Sequence, residues 1–102
     1  MKDLQKCIDA CFMCVADCEK CSTDCINGER KECALLCRDC ADICALCARL
    51  CARGSQFSAE MCALCVKCCE ACAKECEKHA AHHDHCKKCA DSCKKCAEAC
   101  KM

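Results

Sequence analysis

Between Cys7 and Cys21 the chain reads CIDACFMCVADCEKC, with cysteines at steps of four, three, four and three residues. This is the a/d spacing of a heptad, so all five thiols share the helix face on which a packed helix would carry leucine. The rhythm returns four times along the 102 residues, at a period of about 25 residues that marks an internal repeat. Block one holds Cys7, Cys11, Cys14, Cys18, Cys21 and Cys25, and block two Cys33, Cys37, Cys40, Cys44, Cys47 and Cys51. Block three holds Cys62, Cys65, Cys69, Cys72 and Cys76 with the off-rhythm Cys68, and block four Cys86, Cys89, Cys93, Cys96 and Cys100. Four amphipathic helices with sulfur seams exhaust the chain.

The rest of the sequence agrees with an all-α fold. Proline is absent, glycine occurs twice, and Ala, Lys and Glu are abundant; no strand pattern competes. Asn27-Gly28 and Arg53-Gly54 are helix stops, with glycine suited to the left-handed position that ends a helix. Ser58 and Asp84 suit the N-caps of the third and fourth helices, and Glu60 the first turn of the third. The expected helices run over about 3–26, 30–52, 59–81 and 85–101. Short connections make neighbours antiparallel, which gives an up-down-up-down four-helix bundle with a cysteine-lined core, in one domain over 1–102. Ala34, Ala41, Ala48, Ala73, Ala90 and Ala97 each follow a seam residue and let the helices approach. Leu36, Ile43 and Leu50 recur every seven residues as an apolar edge that reads as core margin or as a subunit interface.

Several functions are excluded early. The 16 basic and 16 acidic residues cancel, without a long run of either sign, so no nucleic-acid stripe or polybasic membrane patch is indicated. Two phenylalanines, with no Tyr or Trp, leave nothing for stacking bases. The N-terminus lacks the apolar stretch of a secretory signal, and no run of apolar residues is long enough to span a membrane. Disulfide scaffolds space their cysteines irregularly in loops, whereas 23 thiols, an odd number, stand here on helices. There the i,i+3 and i,i+4 Cβ atoms sit about 5–6 Å apart, beyond disulfide reach. Reduced thiols in a cytoplasmic protein read as metal ligands.

A purely structural core of cysteine would leave voids, because thiols fill less space than leucine. Metal fills them, and charge selects the metal. Thiolates favour Cu(I), zinc and iron–sulfur clusters. A similar number of Cu⁺ ions would neutralise the thiolates, whereas isolated four-thiolate zinc sites would each bury a net charge of −2 at high cost. Cys-x2-Cys and Cys-x3-Cys pairs then act as successive two-coordinate sites on one helix, with a third sulfur joining from a facing helix. Many ions on a continuous ladder means capacity, hence storage rather than catalysis.

The seam pattern, the stretch DCADICALC (Asp39–Cys47) and the segment CALCVKCCEACAKECEKHAAHHDHC (Cys62–Cys86) resemble the bacterial cytosolic copper storage proteins over essentially the whole chain. That resemblance implies a four-helix bundle that loads many Cu(I) ions onto core thiols, lies in the cytoplasm and assembles as a tetramer. It also implies exchange with a copper chaperone or a small-thiol donor or acceptor. The chain carries more cysteines than that family pattern supplies, at Cys47 and Cys51 among others.

All four histidines lie in CEKHAAHHDHC, where His79 and His82 extend the thiol rhythm and are candidate ligands at the bundle mouth. His83 and His85 read equally as a solvated turn. The mouth should gather Cys25, Cys33, Cys76 and Cys86, and the opposite end Cys7, Cys51, Cys62 and Cys100 beside Leu4 and Met61. Two other readings compete. Cys62, Cys65, Cys68 and Cys72 spell a ferredoxin-like C-x2-C-x2-C-x3-C, but no proline follows and no partner run exists. A zinc or cadmium buffer of the metallothionein kind would lack helices without metal. No single low-pKa Cys-x-x-Cys stands apart as a redox enzyme would need.

Overall fold

The computed structural model describes residues 4–101. The heptad seams fold as four helices, α1 (Leu4–Asn27), α2 (Lys31–Ala52), α3 (Ser58–Glu77) and α4 (Asp84–Cys100), and no strand occurs among the described residues. They form a rod of 40 × 18 × 17 Å. Consecutive helices pack side by side and α1 closes against α4, while the diagonal pairs meet through their cysteine side chains and not by close backbone approach. That is the up-down-up-down square expected when loops are too short to cross the bundle.

The core is one cluster of cysteine and alanine. Every seam cysteine is buried, and the six flanking alanines are at most 4% exposed, which brings the backbones close enough for short side chains to meet across the axis. Leu4, Ile8, Val15, Ile43, Met61 and Val66 pack against its margin half-buried. Leu36 and Leu50 are also half-buried, so the seven-residue apolar edge of α2 is mainly core margin. Two serines are the only buried polar residues among those described. Ser22 Oγ donates to the Ala34 carbonyl at 3.1 Å, pinning α1 to α2. Ser92 Oγ donates to Asp17 Oδ2, pinning α4 to α1.

The helix ends differ from expectation in an instructive way. After α2, Gly54 is left-handed at φ 64°. Ser55 N–H donates to the Leu50 carbonyl at 3.0 Å and Gly54 N–H to the Cys51 carbonyl at 3.2 Å, the paired bonds of a Schellman ending. After α1 the same pair forms from Arg30 to Cys25 (2.7 Å) and Glu29 to Ile26 (3.1 Å). The left-handed residue there is Glu29 at φ 63°, not the expected Gly28.

The capping serine and aspartate also fall one residue inside their helices: the N-cap positions are Phe57 and His83. Ser58 Oγ instead donates back to the Leu50 carbonyl at 3.3 Å, and Ser55 Oγ accepts the Phe57 N–H at 3.1 Å. Helix α3 ends at Glu77 rather than 81, because residues 78–83 tighten into short turns. In these, His79 N–H reaches Cys76 O at 3.0 Å and His82 N–H reaches His79 O at 3.1 Å.

Candidate metal centre

All 23 cysteines are free thiols. On a single helix, the S–H···S contacts among the described residues are all i,i+4 pairs: Cys14–Cys18 (3.7 Å), Cys21–Cys25 (3.8 Å), Cys40–Cys44 (3.8 Å), Cys65–Cys69 (3.9 Å) and Cys89–Cys93 (4.0 Å). The other contacts cross between helices. Cys44 meets Cys65 at 3.7 Å, Cys69 at 3.6 Å and Cys96 at 3.9 Å, while Cys14 meets Cys40 at 3.9 Å and Cys93 at 3.7 Å. The Cys-x2-Cys steps that sequence reading assigned to single-helix pairs are therefore bridged by sulfurs of facing helices.

From one end to the other the sulfurs form overlapping groups of four whose atoms all lie within 4.8 Å of one another. Cys7, Cys47, Cys62 and Cys100 form one, then Cys11, Cys47, Cys65 and Cys100, then Cys11, Cys44, Cys65 and Cys96, and the series continues through Cys14, Cys18, Cys40 and Cys93. It passes on through Cys18–Cys89 (3.6 Å), Cys37–Cys89 (3.8 Å), Cys72–Cys37 (3.7 Å) and Cys37–Cys76 (3.7 Å). The column ends at Cys33–Cys76 (3.7 Å), Cys21–Cys86 (3.8 Å) and Cys25–Cys86 (3.9 Å). With a metal–sulfur length near 2.3 Å, trigonal ligation sets sulfurs about 4.0 Å apart, tetrahedral about 3.8 Å and linear about 4.6 Å. The observed spacing suits three or four sulfurs per ion without movement, and two after a slight spread.

No lysine or arginine is fully buried among the described residues, and at the mouth of the column the Arg30 guanidinium stands against Cys25. Burial accordingly favours the neutral thiols at the two ends, raising Cys62 to about 11 and Cys86 to about 12. Close sulfur neighbours reverse the direction at Cys14, which Cys18, then Cys40, Cys44 and Cys69, hold below the usual thiol range. Cys68 lies off the seam, half-buried on the α2-facing flank of α3, where it packs against the margin of the core beside Cys40 and lines a groove with Leu36, Ile43 and Leu64. The ferredoxin-like run is thus a stretch of one unbroken helix, and its third cysteine stands at the edge of the seam rather than on it.

Histidines surround one mouth of the column. His79 Nε2 lies 3.3 Å from Glu75 Oε2 and lines a cleft of about 320 Å³ with Arg30, Glu32 and Cys33. His82 is exposed. The histidine that reaches the sulfurs is His85, whose Nδ1 lies 3.5 Å from Cys21 Sγ and 3.4 Å from Cys86 Sγ. Helical extrapolation from Cys76 missed it, because α3 stops before His79. The signal available was the step from α4: His85 directly precedes Cys86. Burial, then the charge of Arg30, holds His83 below the usual histidine range. At the other end Leu4 and Met61 pack on the core beside Cys7 and Cys62.

A family model described as copper storage protein matches residues 1–102. The chain belongs to the copper storage protein family. Apo copper storage protein 3 from Bacillus subtilis is 47% identical, with a TM-score of 0.88 over 94% of this chain and 93% of that one. A Cu(I)-bound copper storage protein, BsCsp3, is 45% identical with the same TM-score, over 94% and 92%. The cytosolic protein of Streptomyces lividans, described with five coppers loaded, is 30% identical at a TM-score of 0.90, over 95% and 88%. No match is found among curated proteins. In this copper storage family member the sulfur column occupies the place of a hydrophobic core, and no helix among the described residues is long and apolar enough to cross a membrane.

Proposed function

We propose that this protein stores many Cu(I) ions on its core thiolates, in the cytoplasm and without catalysing a reaction. One observation carries the reading: a continuous column of thiols at 3.6–4.0 Å contacts in a core that holds no cationic side chain among the described residues. Ionised thiolates there need their charge cancelled by the metal itself. Monovalent copper does so at about one ion per thiolate, whereas isolated zinc sites leave net charge whose burial costs several kcal/mol per ion. Copper-loaded relatives support the choice of metal.

The ligands in this reading are the 22 seam cysteines and, at their margin, Cys68, with His79 and His82 serving the mouth on the exchange route. His85 joins them because of its place against Cys21 and Cys86. A small thiol or a copper chaperone supplies and removes the ions there. Exposed Phe12, Met13, Leu35 and Leu46 give the outer faces of α1 and α2 an apolar character that suits assembly into a tetramer.

Anaerobic titration of the reduced protein with Cu(I) against a chromophoric chelator, with zinc in parallel, tests the proposal. Uptake approaching one ion per cysteine, colourless and luminescent, is the expected result. Saturation at a handful of ions, or preference for zinc, would overturn it. Replacing His79 and His82 by Ala should slow release to the chelator at unchanged capacity, and light scattering should give about four times the 11.2 kDa chain mass.

A further inference from the structure

The turn between α1 and α2 places its glycine where the Schellman motif has no use for one. After α2 the left-handed residue is Gly54, as the motif favours. After α1 that conformation falls on Glu29, while Gly28 stands one position earlier, outside the left-handed region. Space explains Gly28: a Cβ there would lie 2.8 Å from Cζ and 2.9 Å from Nη2 of Arg30. The turn is arranged so that the Arg30 guanidinium can fold back over it.

The folded-back guanidinium sits at the mouth of the sulfur column. Arg30 Nη2 donates to the Asp24 carbonyl at 3.4 Å and contacts His85 Nε2 at 3.3 Å, while Nε is buried without a partner. A guanidinium can only donate, so His85 Nε2 must accept and carries no hydrogen. The neutral ring then bears its hydrogen on Nδ1, the nitrogen that faces Cys21 and Cys86. A nitrogen bearing a hydrogen has no lone pair for a metal, and the partner of one ring nitrogen fixes the state of the other.

We propose that Arg30 is a latch on His85: its hydrogen bond to Nε2 keeps the proton on Nδ1, and His85 can take Cu(I) beside Cys21 and Cys86 only after Arg30 lets go. The proposal rests on the Cu(I) reading above. On ligation the proton leaves Nδ1 and Nε2 gains one through water, so the ring stays neutral and no electron is transferred. The new Nε2–H then confronts a guanidinium that also only donates, and the Arg30 contact is lost. Arg30 is thus a positioning residue, acting through His85 on the entry and exit of ions.

The test begins without metal. In a long-range proton–nitrogen correlation spectrum of the reduced, metal-free protein, His85 should show a protonated Nδ1 and a bare Nε2. In Arg30→Met it should shift towards the Nε2–H form. Stopped-flow transfer of the first Cu(I) equivalents from a chromophoric chelator should be roughly tenfold faster in Arg30→Met, the lower range for loss of a charge-assisted hydrogen bond. Arg30→Lys, which still donates, should stay near the parent rate. Gly28→Ala, whose Cβ displaces the guanidinium, should follow Arg30→Met. Adding His85→Ala should abolish the acceleration. A bare Nδ1 in the parent protein overturns the latch, and so does an acceleration that survives in the His85→Ala background, which would make Arg30 a simple obstruction. Total Cu(I) capacity, measured on the same proteins, separates the two claims: low capacity or zinc preference would sink storage while leaving the tautomer result to stand.

Discussion

Cys44 has sulfur neighbours at Cys40, Cys65, Cys69 and Cys96, all between 3.6 and 3.9 Å, whereas Cys68 is half-buried at the margin of the core, with Cys40 as its first neighbour. The same substitution should therefore have unequal effects. Cys44→Ala is expected to lower Cu(I) capacity by about one to two ions, since one soft ligand serves several neighbours. Cys68→Ala should lower it by less than about one on the same grounds, both read by chelator-competed titration. The thiols also set a pH limit on the metal-free fold. Cys62 and Cys86 are raised by burial from 9.0 to about 11 and about 12. Folding therefore favours their protonated forms: the contribution is fully present below pH 9 and is lost as pH rises through 11 to 12. The reduced metal-free protein should melt several degrees lower at the top of that window than at neutral pH. A flat profile would mean the ends of the column are better solvated than their burial indicates.

At the scale of the helices, the two stops give a matched pair for experiment. Glu29 is left-handed where Gly54 serves in the equivalent turn, and an L-residue in that conformation costs about 1 kcal/mol or somewhat more. Glu29→Gly is expected to raise the stability of the metal-free protein by about 1 kcal/mol in urea unfolding. Ser92→Ala removes the hydroxyl that meets Asp17, whose carboxylate is only 12% exposed; a loss of about 1–2 kcal/mol should follow. Helix count, order, direction and the six alanine contacts were legible in the sequence, because a strict four-three rhythm leaves one buried face per helix. The turns were less so. Gly28 looked like a stop residue because glycine usually is one, yet the left-handed residue is Glu29, and the Arg30 guanidinium folds back to where a Cβ on Gly28 would stand, which only the folded turn reveals. The histidine nearest the sulfurs was hidden for a related reason: projecting α3 through to 81 favoured His79 and His82, and α3 stops at Glu77.

Across the whole molecule, the long axis of about 40 Å is lined by cysteine sulfurs that already stand at distances suited to bridging a metal. Loading should need little backbone motion. Far-ultraviolet circular dichroism of the metal-free and copper-filled proteins is expected to show the same helical content, in contrast to a metallothionein-like chain that folds only around its ions. Filling should nevertheless raise the melting temperature strongly, because copper binds only the assembled column. The two ends of that column are unlike. Histidines and Arg30 stand at one, and Leu4 and Met61 pack against the other. With exchange through the histidine mouth, as proposed above, the column behaves as a stack, in which what enters last stands nearest the way out. If one copper isotope is loaded to half capacity and a second isotope fills the remainder, the second is expected to dominate the first ions withdrawn by a chelator. Equal withdrawal of both would show that the ions change places along the sulfurs faster than they leave.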